Sequence, residues 1–183
     1  MWKKALASAM CLTLICTVPV WADDDAIARF NGGIGVMPIT NGAGAANADG
    51  TLPNVTRNIV RGVNPAGQIW VVDKLEARVR ANGHITVNGK GLILGGGNNA
   101  GRATGQSVFA TFICDVPVTT PSTPFIPSST AAAGVLLTAN GDFRINDMLS
   151  PVPPFDCANP MLLIRNAANG GWFALGNLRS GRD

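Results

Sequence analysis

The chain has 183 residues, a formal net charge of +3 and a charged fraction of 14%. This low charged fraction, together with 22 glycines and many Ala, Asn and Thr residues, excludes a disordered polyelectrolyte. The composition is typical of a β-rich extracellular protein. A nearly neutral domain also gives no electrostatic reason to bind nucleic acid or an anionic membrane.

Residues 1–22 have the pattern of a secretory signal peptide. Lys3 and Lys4 precede an apolar run, and Val20-Trp21-Ala22 resembles the site at which signal peptides are cleaved. The run is too short to span a bilayer comfortably, so no stable membrane insertion is expected after cleavage. We therefore predict a secreted or periplasmic protein.

After cleavage, residues 23–183 are predicted to form a single β-rich domain with a flexible N-terminal part. Alternating side chains predict short strands at residues 26–30 and 34–39, on either side of Asn31-Gly32-Gly33. Residues 40–57 are rich in Gly, Ala and Asn and are predicted to be a long loop.

The clearest element is a β-hairpin over residues 69–94. A two-residue Asn-Gly turn would place polar side chains opposite apolar ones, which argues against that register. A three-residue loop, Ala81-Asn82-Gly83, instead sets Val79 opposite Ile85. Such a loop ends in a left-handed residue, a conformation that Gly83 adopts without a Cβ clash. Similar turns are predicted at residues 139–141, with Leu137 opposite Phe143 and Val135 opposite Ile145, and at residues 168–170.

Further along the chain, residues 107–115 are predicted to be a central strand, because both of its faces are apolar. Residues 117–130 carry four prolines and cannot be an interior strand. Four more strands are predicted at residues 132–138, 142–149, 160–166 and 172–178. The expected fold is an all-β antiparallel two-sheet sandwich of Greek-key or jelly-roll type, or a closed barrel, with about eight or nine short strands.

Cys114 and Cys157 are the two cysteines that remain after signal cleavage. An oxidising compartment favours a disulfide between them, and a pair of free buried thiols is the alternative. If the strands alternate in direction, the loops at residues 81–83, 116–131 and 150–158 share one end of the domain. Both cysteines then lie at that end, as a bridge requires.

Several short structural motifs lie within residues 57–176: Ile69-Trp70-Val71, Asn88-Gly89-Lys90-Gly91-Leu92, Val108-Phe109-Ala110-Thr111 with Cys114, and Cys157 with Pro160-Met161-Leu162-Leu163-Ile164-Arg165 and Trp172-Phe173-Ala174. Through these motifs the chain resembles a group of small secreted bacterial β-rich proteins. This resemblance implies secretion and β structure. The group has no established activity, so the resemblance assigns no site residue.

The candidate binding residues are apolar or aromatic. Phe125 and Ile126 lie in the stiff Pro-rich segment and could present apolar surface to a partner, or cap the core. Trp70 and Trp172 could stack on a sugar if exposed, or pack in the core. We expect a binding or assembly domain without catalytic activity. Its partner could be a polysaccharide, an envelope protein or another copy of the chain.

The alternative function is a hydrolase that uses the end of the domain at His84, the only histidine. Strand counting places Asp115, Asp156 and Ser128 at the same end, which permits a Ser-His-Asp arrangement. Nothing around Ser128 resembles a nucleophile turn, so His84 is also consistent with an exposed turn residue. We predict no catalytic residue, no cofactor and no metal site, since one histidine and no remaining thiol disfavour zinc.

Overall fold

The computed structural model describes residues 25–41, 47–49, 55–115 and 125–179. The predicted signal peptide, the middle of the predicted loop at 40–57, and residues 116–124 of the Pro-rich segment lie outside the described residues. The described part is all-β, without an α-helix. Within it there is accordingly no helix with the length and apolar character needed to cross a membrane.

The strands lie in one curled antiparallel sheet and two small two-stranded sheets. The strands are β1 (Ala26–Gly35), β2 (Ile39–Asn41), β3 (Val55–Arg57), β4 (Trp70–Val71), β5 (Lys74–Arg80), β6 (His84–Lys90), β7 (Ile93–Leu94), β8 (Ser107–Asp115), β9 (Phe125–Ser129), β10 (Val135–Leu136), β11 (Phe143–Met148), β12 (Ala158–Asn166) and β13 (Trp172–Leu178). The order in the large sheet is β10-β8-β12-β13-β1-β5-β6-β11, and β9 pairs with β8; the small sheets are β2-β3 and β4-β7.

The predicted hairpin over residues 69–94 is confirmed along its whole length. Val79 lies opposite Ile85, and the same register continues through β4 and β7 to the pair Trp70 and Leu94. Gly83 has a φ of +87°, and its N–H donates to the Arg80 carbonyl at 2.9 Å. The three-residue loop keeps the apolar residues of β5 and β6 on the core face of the sheet.

The first strand differs from the prediction. Residues 26–35 form one strand, β1, where two short strands were expected on either side of Asn31-Gly32-Gly33. The register with β13 shifts between Phe30 and Gly33, which is a β-bulge. A bulge lets the chain bend without ending the strand, and it is hard to distinguish from a turn in the sequence.

Strand β8 has the predicted bounds and lies inside the sheet, between β12 and the strands β9 and β10. Residues 108–114 are all buried. Phe112 points into the concavity of the sheet, where its ring meets Phe30 edge-on at 6.2 Å between centroids. The segment at 58–66 approaches the opposite face of the sheet, since Arg61 reaches from it to Asp115 at the end of β8.

Two elements near the Pro-rich segment correct the sequence analysis. Residues 125–129, predicted as loop, form the edge strand β9; Pro127 is tolerated there because an edge strand need not donate every ladder hydrogen bond. The turn at residues 139–141 is formed as predicted, with Gly141 at a φ of +80°. The strands beside it diverge, however, and residues 135–136 pair with β8 while residues 143–148 pair with β6.

The two edges of the large sheet approach each other along a seam between β9–β10 and β11. At one end of the seam, the Thr138 N–H donates to the Asp142 carbonyl at 3.0 Å. At the other end, Ser129 and Ser150 exchange two backbone hydrogen bonds of 3.0 and 2.9 Å. These hydrogen bonds join residues in or beside β9 and β10 to residues beside β11.

Cys114 and Cys157 form a disulfide, with their Cα atoms 5.1 Å apart. The bridge joins the end of β8 to the chain just before β12, next to the pair Asp115 and Ala158. The turn at residue 83 lies at the same end, because a Cβ on Gly83 would contact Val152 in the loop before Cys157. The turn at residues 81–83 and the loop at residues 150–158 thus lie at the cysteine end, as predicted, whereas residues 116–124 of the third loop lie outside the described residues.

Candidate functional site

Trp70 and Trp172 lie in the core. Trp70 is 4% exposed and stacks on Phe173 with 4.0 Å between the ring centroids. Trp172 is also buried, and its indole Nε1–H donates to the Asn58 carbonyl at 3.0 Å. Of the two roles considered for these residues, the structure therefore places both rings in core packing rather than at the surface.

Phe125 and Ile126 are half-buried on the edge strand β9. Phe125 packs against the core, and the Arg61 guanidinium lies over its ring, 5.2 Å from the centroid. Ile126 pairs with Cys114 across the ladder. Both side chains thus keep part of their apolar surface exposed beside the disulfide.

The structure does not bring His84 and Ser128 together. Ser128 is fully buried and pairs directly with Phe112, so its Oγ points into the concavity of the sheet. His84 precedes the fully buried Ile85 on β6, and alternation places its side chain on the outer face. Within the described residues, Ser128 Oγ has no hydrogen-bond partner, so no base is in position to activate it.

Asp115 interacts with two side chains at the disulfide end. Its Oδ1 forms an ion pair with Arg61 Nη2 at 2.9 Å, and its Oδ2 accepts from Asn159 Nδ2 at 2.8 Å. Both residues have positive φ, +45° for Arg61 and +44° for Asn159. Asp156 is exposed in the loop between β11 and β12. Asp115 thus connects segment 58–66 to β8 and β12.

Three exposed apolar side chains lie at this end and were not identified from the sequence. Phe155 is 79% exposed, Val152 57% and Met148 48%. Val152 and Phe155 belong to the loop between β11 and β12. In a loop, the alternation of apolar and polar residues does not indicate which side chains are buried. Short apolar stretches between prolines gave no basis for separating a surface residue from a core residue.

A polar groove of about 310 Å³ lies on the outer face of β1, β5 and β6. The polar lining residues alternate along each strand with core residues, two of which, Phe30 and Ala77, also border the groove. The polar side chains along the groove are Arg29, Asn31, Glu76, Arg78, Thr86 and Asn88, and Arg179 lies at the end of β13 beside them.

The ladders order these side chains into two rows across the sheet. In one row, Arg29 pairs with Arg78 and Arg78 with Thr86. In the other, Asn31 pairs with Glu76 and Glu76 with Asn88. The groove therefore presents amide, hydroxyl, carboxylate and guanidinium groups from a rigid sheet, which suits hydrogen bonding to a polar ligand.

Charge in the groove is unevenly distributed. The lining contains Arg29, Arg78 and Arg179 but a single carboxylate, that of Glu76, so it is net positive although residues 23–183 together are close to neutral. Asp25 lies at the margin, with its Oδ1 3.5 Å from Arg78 Nη2 and 3.6 Å from Arg80 Nε. The side chains of both ion pairs are partly exposed to water.

Arg165 is a cation outside the groove and has a structural role. It lies over the Phe109 ring at 5.0 Å, and its Nε donates to the Gly170 carbonyl at 2.7 Å. A further donor, Nη1, is 3.3 Å from Thr111 Oγ1. Burial lowers the pKa of the Arg165 guanidinium below its usual value. These contacts join β12 to β8 and to the turn before β13.

The groove was missed because its side chains come from strands far apart in the sequence. The alternation of these polar residues with core residues is visible in the sequence. The pairing of β1 with β5 and with β13 is seen only in the tertiary structure.

In the described part of the chain, no group of three or more His, Cys, Asp or Glu side chains could hold a metal ion. Comparison with known proteins finds no matching family model, no matching curated protein and no matching solved structure.

Proposed function

We propose that this chain is a secreted, non-catalytic domain that binds a polysaccharide in the groove on the outer face of β1, β5 and β6. The observation that carries the proposal is the lining of the groove, in which hydrogen-bonding side chains stand in two ordered rows. A polysaccharide presents many hydroxyl groups, each both a donor and an acceptor, and the amides, hydroxyl and charges of the lining complement them.

An envelope protein is a weaker fit to this groove. Protein interfaces have a core depleted in charged residues and enriched in aromatic ones. The groove has the opposite composition, since Arg29, Arg78 and Glu76 occupy its centre. The lining side chains also emerge from paired strands, so no backbone segment must be ordered when a ligand binds.

Closure of the sheet into a barrel is part of the same proposal. The seam between β9–β10 and β11 is supported at both ends by backbone hydrogen bonds, at Thr138–Asp142 and at Ser129–Ser150. A closed sheet gives the groove a rigid convex wall and leaves no long open edge. Amide hydrogen exchange tests closure, because the N–H groups of Ser129 and Ser150 are protected in a barrel and exchange rapidly in an open sandwich.

Secretion is supported by the signal-peptide pattern and by the disulfide between Cys114 and Cys157, since such bridges persist in oxidising compartments. A secreted domain meets polysaccharides in the envelope or outside the cell. The bacterial origin implied by the sequence resemblance belongs to this proposal too.

Affinity electrophoresis of residues 23–183 through gels containing soluble polysaccharides tests the function. At least one polysaccharide should slow migration, and Asn88→Ala should weaken the retardation by removing a donor and an acceptor from the groove. Asn140→Ala is the matched control, since Asn140 is an exposed amide on the turn at residues 139–141 and does not line the groove. Normal migration in every gel, or equal loss in both variants, would contradict the proposal.

A further inference from the structure

The ladder of β2 and β3 continues beyond both strands. The Asn58 N–H donates to the Pro38 carbonyl at 3.1 Å, which extends the antiparallel register of the two strands by one pair. The next pair in that register is Met37 and Ile59. Their side chains lie on the same face of the ladder, because residues directly opposite each other in an antiparallel pair point to the same side.

The same surface continues onto β4. The Trp70 N–H donates to the Val36 carbonyl at 3.1 Å. One residue earlier in the chain, Gly35 lies against the end of β4, so the two segments run antiparallel. Met37 and Ile69 are therefore neighbours, and the row from Ile59 through Met37 to Ile69 crosses three adjacent backbone segments.

This surface carries exposed apolar side chains, whereas the solvated face of an antiparallel sheet normally carries polar ones. Ile69 and Val71 lie side by side, because a Cβ on Gly95 would be 2.9 Å from a side-chain carbon of each. None of the exposed apolar residues on this surface lines the groove. The apolar patch consists of five side chains that are between 42% and 63% exposed: Met37, Ile39, Ile59, Ile69 and Val71.

We propose that the apolar patch is the interface between two copies of this chain related by a two-fold axis; the proposal goes beyond the function assigned to the groove and does not depend on it. Side chains near a two-fold axis meet the same side chains of the second copy, so a charge there would face its like. The five patch residues carry no charge, and the patch can meet its own copy without that repulsion.

Opposite charges lie at opposite margins of the patch. Arg57 is directly across the ladder from Ile39, on one side of the row. Asp73 lies two residues beyond Val71, on the other side of the row, and is exposed. A two-fold axis through the patch sets the Arg57 guanidinium of one copy towards the Asp73 carboxylate of the second. The margin is thus complementary to itself, which favours a second copy over an unrelated protein.

The size and chemistry of the patch also suit a second copy. Each partner in a standard interface buries about 800 Å², rather more than half of it apolar. Five large side chains that are about half exposed supply roughly 450 Å² of apolar surface. The patch offers a polysaccharide no amide, hydroxyl or charged side chain. Binding to an anionic membrane surface would need a rim of several cations, whereas this margin pairs one cation with one carboxylate.

Sedimentation equilibrium of the exported protein tests the proposal. The mass should rise with concentration from one chain to two chains by about 100 µM and then stay constant. Met37→Glu would bring two carboxylates into the contact and should raise the dissociation constant of the dimer at least about 100-fold. Met148→Glu makes the same chemical change at a 48% exposed methionine at the disulfide end and should leave the dimer unchanged. A mass of one chain at every concentration, a mass that keeps growing beyond two chains, or equal effects of the two variants would overturn the proposal.

Reversing the charges at the margin tests the two-fold arrangement with variants that leave the patch itself intact. Arg57→Glu should weaken the dimer about three- to ten-fold, because it sets two carboxylates against each other. Adding Asp73→Arg to Arg57→Glu should restore the affinity of the unmodified protein, since the reversed pair is again complementary. These variants also replace Met37→Glu if that change lowers the urea midpoint of the chain. No loss in the single variant, or no recovery in the double variant, would refute the pairing of the two margins across a two-fold axis.

Discussion

Replacing Gly83 by valine tests the hairpin that runs from residue 69 to residue 94. Gly83 has a φ of +87°, and a side chain in this region costs about 1–2 kcal/mol because Cβ approaches the carbonyl oxygen. Branching at Cβ worsens the clash. The added Cβ would also lie 3.3 Å from a γ-methyl of Val152, which is 57% exposed and can move aside at little cost. We expect Gly83→Val to lower the free energy of unfolding by about 2 kcal/mol or more.

Asn82→Ala is the comparison, since Asn82 has an ordinary φ in the three-residue loop. Its Oδ1 accepts from the His84 N–H at 2.9 Å, an exposed hydrogen bond worth about 0.5–1 kcal/mol. Urea unfolding of both variants with the disulfide intact measures the two losses. A two-residue turn would require positive φ at both positions, so equal losses would refute the three-residue loop and the register of the hairpin with it.

Three further predictions concern the disulfide, the packing of the core and the cleavage of the signal peptide. Replacing Cys114 and Cys157 by alanine should lower the free energy of unfolding by about 4 kcal/mol in the chain-entropy model for a separation of 43 residues, and an unchanged urea midpoint would contradict this. Phe112→Ala, at a fully buried site, should cost about 3–5 kcal/mol, whereas Phe155→Ala makes the same chemical change at a 79% exposed site and should cost less than about 0.5 kcal/mol. Mass spectrometry of the exported protein should give an N-terminus at Asp23, and an intact Met1 would rule out the predicted cleavage.

The elements predicted correctly are those whose sequence pattern is local. The register of β5 and β6 followed from alternation, because only one loop length keeps Val79 and Ile85 on the same face. The bounds of β8 were predicted correctly from its continuous apolar run, which covers both faces. The bounds of β13 were predicted correctly because a turn marks its start. In these cases the hydrophobic pattern and the turn residues point to the same structure.

The errors arise where pairing between distant segments decides the structure. Residues 125–129 form a strand because the edge of β8 offers a partner that accepts Pro127 without its N–H. Residues 143–148 were expected to pair with residues 135–137, but they pair along their whole length with β6. The groove has the same origin, since Arg29 and Arg78 lie 49 positions apart in the numbering and meet only when β1 pairs with β5.

The position of β1 affects the order in which the chain can fold. This strand lies between β5 and β13, so the first and last strands of the sheet are neighbours, and Arg179 hydrogen-bonds the backbone of Arg29. A chain emerging from the ribosome with its N-terminus first can pair β1 with β5 early. One edge of β1 then stays open until the seven-residue strand β13 has emerged. Completion of the sheet thus waits for β13, and a chain truncated before Trp172 would keep two unpaired edges and aggregate.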